Sequence, residues 1–254
     1  MKTLHCFFVA FAFAAVACGN PSQKTNEANT SDELMGQKPT KPLIVGMAGY
    51  STCAQSKEYH DGQWGPLGSP MFRRIEGLAK TVTEKFGIEP TILASCFTSE
   101  SKIIASSSLD DWSVTQPQDE EYLGRIFEQL PLYTDVFVVG HSYGGWLAMK
   151  MAESYEGDPS LIKTLHTIDP ISKKLCFFNN VSECLSAPRD ILSDAREHIS
   201  LYTGVWVNPW QDSTFFLHSS AISEADFNPK YNLDHWDIDN NDTVWADINQ
   251  RVNL

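Results

Sequence analysis

One short segment constrains the fold of this chain more than any other. It is an apolar run, Val136–Val139, followed by a glycine-rich turn and a helix-forming stretch; the turn reads Gly140-His141-Ser142-Tyr143-Gly144-Gly145. Where a strand passes into a helix through so sharp a turn, the two backbones approach closely and the flanking positions have no room for side chains. Gly140 and Gly144 meet this requirement. The segment therefore predicts a strand, a tight turn that projects the Ser142 side chain above a sheet, and a helix.

Short apolar runs alternate with amphipathic stretches from residue 42 onward. Runs of strand length are found at 42–48, 91–96, 135–139, 164–168, 200–207 and 214–217. Apolar residues recur with helical spacing at 69–86, 118–130, 143–155, 188–197 and 244–252. Apolar strands that alternate with helices are typical of a parallel sheet buried on both faces. We expect one α/β domain over 42–254, with a mostly parallel sheet of about six strands flanked by helices on both faces.

The first 17 residues have the layout of an export signal. Lys2 precedes the apolar run Phe7–Ala17, which is too short to span a bilayer. The run ends in small residues directly before Cys18, and this junction is similar to the lipobox of bacterial lipoproteins. The similarity implies that the signal peptide 1–17 is removed and that the Cys18 thiol receives a lipid. Ordinary signal cleavage beside an unrelated cysteine is the alternative.

The segment 18–41 is rich in Asn, Ser, Thr, Gln and Lys and has almost no apolar side chains. Such a segment cannot bury enough apolar surface to offset the entropy lost on folding. We therefore expect a flexible, lipid-anchored tether before the folded domain. By resemblance to bacterial sorting rules, Gly19 in place of aspartate favours the outer membrane, so we expect an exported lipoprotein of the bacterial cell envelope that faces the periplasm or the cell surface.

Four cysteines follow Cys18, and an even number in an exported chain favours disulfide bonds. They are Cys53, Cys96, Cys176 and Cys184. Cys176 and Cys184 are near enough in sequence to close a small loop, which would leave the other two as the second pair. The sequence alone leaves all pairings open.

The charge and the motif content exclude several classes of partner. The formal net charge is −13, and no dense basic stretch is present, which argues against a nucleic-acid partner. The chain contains no His-Glu-x-x-His motif and no paired Cys-x-x-Cys motifs, the common sequence signatures of zinc sites. We therefore expect neither a metal nor a cofactor.

The Gly-x-Ser-x-Gly turn between a strand and a helix resembles the nucleophile elbow of the α/β-hydrolase superfamily, in particular its small bacterial lipases, esterases and thioesterases. The resemblance covers 42–254 and implies the α/β-hydrolase fold, with a short cap at Ile171–Arg189. It also implies that Ser142 is the nucleophile of a catalytic triad, with an acid and then a histidine following it in the chain.

Four histidines follow Ser142. His166 falls inside a predicted buried strand and is set aside. His235 comes after the last predicted strand and before the terminal helical stretch, where the resembling enzymes have their catalytic histidine, and we choose it as the base. His218 ends a predicted strand and His198 falls in a predicted helix; both stay as alternatives.

Two aspartates compete for the role of the acid. Asp169 directly follows the predicted strand 164–168, so its carboxylate is expected at the same sheet edge as Ser142. Pro170 ends that strand and predicts an extended backbone at Asp169. Asp212 follows the next predicted strand, which is the commoner position in the resembling enzymes. We choose Asp169, because some lipases and thioesterases use the earlier strand, and Asp212 stays as the alternative.

Two backbone N–H groups are expected to form an oxyanion hole. One belongs to Tyr143, the residue after the nucleophile. The other is expected in the loop after the first strand, where Gly46-Met47 and Gly49-Tyr50 are the two candidates. We choose Tyr50, because the first strand then has a usual length.

The resemblance predicts a serine hydrolase that cleaves carboxylic esters of lipids or other acyl groups through an acyl-enzyme intermediate. Its partners would be a small acyl ester substrate and, through the anchor, a membrane. Phe177 and Phe178 in the cap favour an apolar substrate. A thioesterase or acyltransferase with the same triad and, as a separate class, a non-catalytic binding lipoprotein are the alternatives.

Overall fold

The apolar runs of the sequence pair into one sheet in the computed structural model of the chain. The structure describes residues 41–49, 70–97, 103–107, 113–116, 119–171, 188, 190–214 and 217–252. These residues belong to one compact unit, Gln37–Leu254. Residues 1–40 lie outside the described residues, and with them the predicted signal peptide, Cys18 and nearly all of the predicted tether.

The strands of the described residues are β1 (Lys41–Met47), β2 (Thr91–Phe97), β3 (Ile103–Ser107), β4 (Ser113–Gln116), β5 (Tyr133–His141), β6 (Ile162–Ile168) and β7 (Thr203–Val207). Their order in the sheet is β4-β3-β2-β1-β5-β6-β7. From β2 to β7 in this order, neighbouring strands are parallel. The β2–β3 and β3–β4 pairs are antiparallel. The carboxyl ends of the parallel strands therefore meet at one edge.

Helices cover both faces of the sheet. They are α1 (Pro70–Phe86), α2 (Asp119–Gln129), α3 (Tyr143–Glu153), α4 (Ser193–Tyr202) and α5 (Asp242–Val252). Buried residues of α1 and α5 form one hydrophobic cluster, and those of α2, α3 and α4 form a second cluster across the sheet. No helix of the described part of the chain is both long and apolar enough to cross a membrane.

The side chains of the central strands alternate between these two clusters. In β1, Val45 and Met47 pack on the side of α2 and α3, whereas Ile44 packs on the side of α1 and α5. Every residue of β2 is buried. Burial on both faces explains why these strands are apolar throughout. The predicted α/β class, with a mostly parallel sheet between two helical layers, is confirmed.

Three details differ from the sequence prediction. The two antiparallel strands, β3 and β4, were not predicted. The predicted strand 200–207 begins only at Thr203, because Ser200–Tyr202 completes α4; Leu201 in that last turn is 73% exposed and belongs to neither core cluster. In the predicted strand 214–217, residues 214 and 217 lie outside any strand, and 215–216 lie outside the described residues.

Candidate active site

A strained turn at the carboxyl end of β5 presents Ser142. Its backbone has φ 58° and ψ −124°, outside the region that L-residues prefer. A Cβ on Gly140 would lie 2.3 Å from the carbonyl oxygen of Gly144, and a Cβ on Gly144 would lie 2.0 Å from that of Met47. Side chains at these positions would collide with backbone. This is the close approach of strand and helix that the sequence predicts.

The backbone of Ser142 is held on three sides. Its N–H donates to the carbonyl oxygen of Ile168 in β6 at 3.0 Å. Its own carbonyl oxygen accepts from the N–H groups of Trp146 and Ile171, both at 3.2 Å. Fixed backbone partners allow an unfavourable conformation to persist. The Ser142 side chain is consequently aimed in one direction from the sheet edge.

The predicted serine, histidine and aspartate lie in mutual contact. The Nε2 atom of His235 is 2.8 Å from the hydroxyl oxygen of Ser142. The Nδ1 atom of His235 is 2.6 Å from Oδ2 of Asp169. Both distances are hydrogen-bond distances, and His235 and Asp169 are 1% and 0% exposed. Since a carboxylate only accepts, Nδ1 holds a proton, and Nε2 of the neutral imidazole faces the Ser142 hydroxyl as an acceptor.

The Asp169 carboxylate accepts further hydrogen bonds besides that of His235. The backbone N–H of Ser219 donates to Oδ1 at 2.8 Å. Gln211 donates to Oδ2 from its side-chain amide at 2.6 Å and to Oδ1 from its backbone N–H at 3.3 Å. These donors compensate for the loss of water around a fully buried carboxylate. Gln211 and Ser219 were not predicted, and no local pattern in the sequence identifies either.

The backbone of Asp169 corrects one expectation. Its φ is 42°, in the left-handed region, so the extended conformation predicted from Pro170 is wrong. Aspartate tolerates this region better than most residues. The Asp169 N–H donates to the carbonyl oxygen of Pro209 at 2.7 Å, which ties the turn to the segment that follows β7. The tertiary hydrogen bonds therefore outweigh the local preference that a following proline imposes.

Burial lowers the pKa of His235 below its ordinary value. The hydrogen bond to Asp169 and the negative charges of Asp169 and Asp239 act in the opposite direction, and the neighbouring His141 adds to the lowering. Since the ordinary pKa of histidine is about 6.5, His235 is neutral at neutral pH. A neutral imidazole is the form that can accept a proton from the serine hydroxyl.

The alternative acid lies elsewhere. The Asp212 carboxylate is half exposed and forms an ion pair with Lys230 at 2.6 Å. The hydrogen bond from Lys230 is the main cause of a lowered pKa at Asp212. The partner of this carboxylate is thus the Lys230 ammonium group in a surface ion pair, rather than His235.

The alternative histidines bind backbone carbonyl groups. His218 donates from Nδ1 to the carbonyl oxygen of Thr214, and His198 donates from Nε2 to that of Tyr155, both at 2.9 Å. His166 is fully buried within β6, as its position in a predicted strand implies. Among these four histidines, only His235 contacts Ser142 in the described part of the chain.

The predicted oxyanion donors are only partly described. Tyr143 is the first residue of α3, where the helix dipole favours negative charge. Gly49 packs against Ser142, since a Cβ there would lie 2.9 Å from Cβ and 3.3 Å from Oγ of Ser142. The loop after β1 thus approaches Ser142 closely. Tyr50 itself lies outside the described residues.

Two aromatic residues lie in the first turn of α3, directly after Ser142. The rings of Tyr143 and Trp146 are stacked with centroids 5.3 Å apart, and Phe97 meets Tyr143 edge-on at 4.3 Å. Trp236, next to His235 in sequence, is 64% exposed. Nearly all of the predicted cap, including Phe177 and Phe178, lies outside the described residues. In the described part of the chain, no group of three or more His, Cys, Asp or Glu side chains is arranged to hold a metal ion.

One predicted disulfide cysteine lies in the described sheet. Cys96 in β2 is fully buried and disulfide-bonded. The other three candidates, Cys53, Cys176 and Cys184, lie outside the described residues. The pairing among the cysteines therefore stays as open as the sequence leaves it.

Comparisons with known proteins give weak likenesses. No family model matches the chain, and no curated protein matches it. Among solved structures, Est1E from Butyrivibrio proteoclasticus with ferulic acid bound is 14% identical, with a TM-score of 0.43 over 86% of this chain and 88% of that one. The product of the gene lin2722 from Listeria innocua is 13% identical, with a TM-score of 0.46 over 84% of this chain and 94% of that one. The activity must therefore be inferred from the geometry of the site.

Proposed function

We propose that this chain is a serine hydrolase of the α/β-hydrolase type that cleaves carboxylic esters of lipids or other acyl groups. The observation that most strongly supports the proposal is the continuous hydrogen-bonded series from Ser142 through His235 to Asp169. The series lies at the carboxyl edge of a parallel sheet, where α/β proteins commonly bind ligands. The strained backbone of Ser142 adds support, because such strain is concentrated at functional sites.

The proposed reaction begins with proton transfer. His235 accepts the hydroxyl proton of Ser142 at Nε2 while the serine oxygen attacks the ester carbonyl carbon. The Asp169 carboxylate keeps the Nδ1 proton in place and stabilises the imidazolium that forms. The proton then passes from Nε2 to the leaving alcohol, and an acyl-enzyme remains on Ser142. Water, activated by His235 in the same way, releases the carboxylic acid.

The negative oxygen of the tetrahedral intermediate would be stabilised by backbone N–H groups. We assign one to Tyr143 at the start of α3 and the other to Tyr50, next to Gly49, which packs against Ser142. Loss of one such donor costs about 3–4 kcal/mol of transition-state stabilisation in characterised hydrolases. Phe177 and Phe178 of the predicted cap favour an apolar acyl group.

Hydrolysis of p-nitrophenyl esters of increasing acyl length tests the proposal. The wild-type chain should release p-nitrophenol, and Ser142→Ala should abolish the release while circular dichroism and Tm stay unchanged. Ser160→Ala is a matched control, since Ser160 is an exposed loop serine that hydrogen-bonds Asp158. Equal turnover by Ser142→Ala and the wild type would refute the proposal.

We further propose that Cys18 anchors the domain to the bacterial outer membrane, on the basis of the Ala15-Val16-Ala17-Cys18 junction and the polar segment behind it. Cys18→Ser should release a soluble form or stop processing of the signal. Mass spectrometry of the mature N-terminus decides the point, because a lipidated cysteine adds the mass of its acyl chains. An unmodified N-terminus would refute the anchor and leave the proposed hydrolase activity untouched.

A further inference from the structure

A second histidine–carboxylate pair lies beside the proposed triad. His141 precedes Ser142 in the turn, and Asp239 lies in the 3-10 turn Ile238–Asn240. Nδ1 of His141 is 3.3 Å from Oδ2 of Asp239, and the two side chains are 5% and 7% exposed. The contact does not have the geometry of a hydrogen bond. It is therefore an electrostatic contact between buried groups.

The other ring nitrogen of His141 contacts the residue that we propose as the base. Nε2 of His141 is 3.0 Å from the backbone carbonyl oxygen of His235. Since a carbonyl oxygen only accepts, this nitrogen holds a proton and donates it. The two imidazole rings have centroids 4.8 Å apart. His141 thus holds the backbone of His235 and also lies within electrostatic range of its ring.

These contacts favour the charged form of His141. With Nε2 already protonated, a neutral ring would place an unprotonated, electron-rich Nδ1 only 3.3 Å from the Asp239 carboxylate, and a second proton replaces that repulsion with attraction. Burial opposes the charge, but the negative charges of Asp239 and Asp169 and the bond to the His235 carbonyl raise the pKa of His141 above its ordinary value. The titratable groups that act on His141 are thus Asp239 from the 3-10 turn, Asp169 from the end of β6, and His235 itself.

Contacts from two helices hold Asp239 in place. The indole N–H of Trp245 in α5 donates to the Asp239 carbonyl oxygen at 2.7 Å. Arg74 in α1 donates to the Asn240 side chain at 3.0 Å and pairs with Asp242 at 2.6 Å. The position of the carboxylate is therefore set by the helical layer of α1 and α5.

We propose that His141 is a positioning residue, which forms a buried cationic pair with Asp239, fixes the carbonyl of His235 and favours the neutral form of the His235 ring. The proposal rests on the proposed function, since that function makes His235 the base. Two consequences are separately measurable: His141 keeps its second proton to a higher pH than an ordinary histidine does, and its charge disfavours protonation of His235. The first can be measured without any activity.

Histidine ring signals followed by NMR through a pH titration test the pair directly. His141→Gln identifies the His141 signal, and in the wild type that signal should titrate above the ordinary histidine value of about 6.5. Asp239→Asn keeps the shape and removes the charge, so it should lower the His141 midpoint by about one pH unit or more. A wild-type midpoint below the ordinary value, or one that Asp239→Asn leaves unchanged, would overturn the proposal.

The effect on His235 is measured in the same titration. His141→Gln should raise the His235 midpoint by about one pH unit, because it removes a neighbouring positive charge. The double variant His141→Gln/Asp239→Asn leaves no unpaired buried carboxylate and serves if the single variant folds poorly. The double variant should also raise the His235 midpoint. It removes the charge of His141, which lowers the His235 pKa, and the charge of Asp239, which raises it, and the effect of His141 is the larger. An unchanged His235 midpoint in both variants would overturn the proposal.

Kinetics separate this proposal from the proposed function. If the wild type hydrolyses esters, the acidic limb of its kcat/KM profile should move to higher pH in His141→Gln, in step with the NMR midpoint of His235. A uniform loss of kcat/KM with an unmoved profile would show a merely structural His141 and would overturn the inference. If the wild type neither hydrolyses esters nor reacts with a serine probe, the proposed function fails, while the two NMR midpoints still decide the pair.

Discussion

The two histidine–carboxylate pairs of this molecule, His235 with Asp169 and His141 with Asp239, are neighbours at one sheet edge and differ in what the second ring nitrogen contacts. In His235, Nε2 lies 2.8 Å from the Ser142 hydroxyl, a group that can donate a proton. In His141, Nε2 lies 3.0 Å from a backbone carbonyl, which can only accept one. The same side-chain types are therefore suited to proton transfer in the first pair and to positioning in the second.

The surroundings of the two pairs also differ in their electrostatic outcome. Burial lowers the pKa of His235 in spite of its short contact with Asp169. At His141 the surrounding negative charges outweigh the effect of burial, and the pKa is raised. The Asp169 carboxylate accepts hydrogen bonds from Gln211 and Ser219 as well as from His235. A carboxylate neighbour alone does not decide whether a buried histidine is neutral.

The largest expected effect comes from breaking the first pair with Asp169→Asn. The asparagine loses the charge that stabilises the imidazolium and no longer enforces the Nδ1 proton. In a serine-protease triad the corresponding change lowers kcat by about 10⁴-fold, and we expect a loss of that order in steady-state ester hydrolysis. A loss of less than about tenfold, or 1.4 kcal/mol in the barrier, would contradict the assignment of Asp169.

A change between the two pairs should have an intermediate effect. A Cβ on Gly49 would lie 2.9 Å from Cβ of Ser142 and 3.5 Å from Nδ1 of His141. The first distance is too short for a Cβ, whereas the second is an ordinary contact, so Gly49→Ala should displace Ser142 and lower kcat/KM by about 10- to 100-fold, the cost of a small misplacement of reacting groups. Gly77→Ala is the control, because a Cβ there has no neighbour within 4 Å. Full activity in Gly49→Ala would contradict the described approach of the β1 loop to Ser142.

His166 is a third buried histidine, and unlike His235 and His141 it has no carboxylate partner among the described residues. Neither ring nitrogen of His166 has a hydrogen-bond partner among the described residues. Burial, with a smaller contribution from the charge of Arg251, lowers its pKa to about 3. The unfolded chain takes up this proton below pH about 6.5 while the folded chain does not, so stability falls as the pH decreases from there towards 3.

Replacing this histidine should remove that acid sensitivity. In His166→Leu the free energy of unfolding should depend less on pH than in the wild type. Well below pH 6.5, the slope of the free energy against pH should be smaller by about 1.4 kcal/mol per pH unit. Urea unfolding at pH 7 and at pH 5 measures the difference. Parallel pH dependence in the variant and the wild type would show that His166 is protonated in the folded state.

The smallest expected effect is that of Asp212→Asn. The Asp212 carboxylate is half exposed and pairs with Lys230 in solvent, and such pairs contribute little to stability. We expect kcat and Tm to remain those of the wild type in the assays used for Asp169→Asn. A crippled Asp212→Asn beside an active Asp169→Asn would reverse the assignment of the acid.

The sequence predicted best what depends on neighbouring residues. Gly140 and Gly144 indicate that strand and helix approach closely on either side of Ser142. The continuous apolar runs indicate burial on both faces of the sheet. Asp169 and Asp212 both follow strands, and local sequence does not separate them. Tertiary structure separates them, because it brings His235 to Asp169 and Lys230 to Asp212.

Two kinds of feature were not predicted from the sequence. The strands β3 and β4 are short, and their apolar runs have at most three residues, so no strand-length apolar pattern identifies them. Gln211 and Asp239 reach the site from loops whose residues show no periodic pattern. No role was predicted for His141, although a titratable residue beside a proposed nucleophile is itself a signal of function.

Covalent labelling with a fluorophosphonate, followed by peptide mapping, tests whether Ser142 is an activated nucleophile, because this probe reacts with a serine that an adjacent base activates. We expect a single labelled peptide that contains Ser142, loss of the label in Ser142→Ala, and strongly slowed labelling in Asp169→Asn. Labelling that persists in Ser142→Ala, or that maps to another serine, would contradict this expectation.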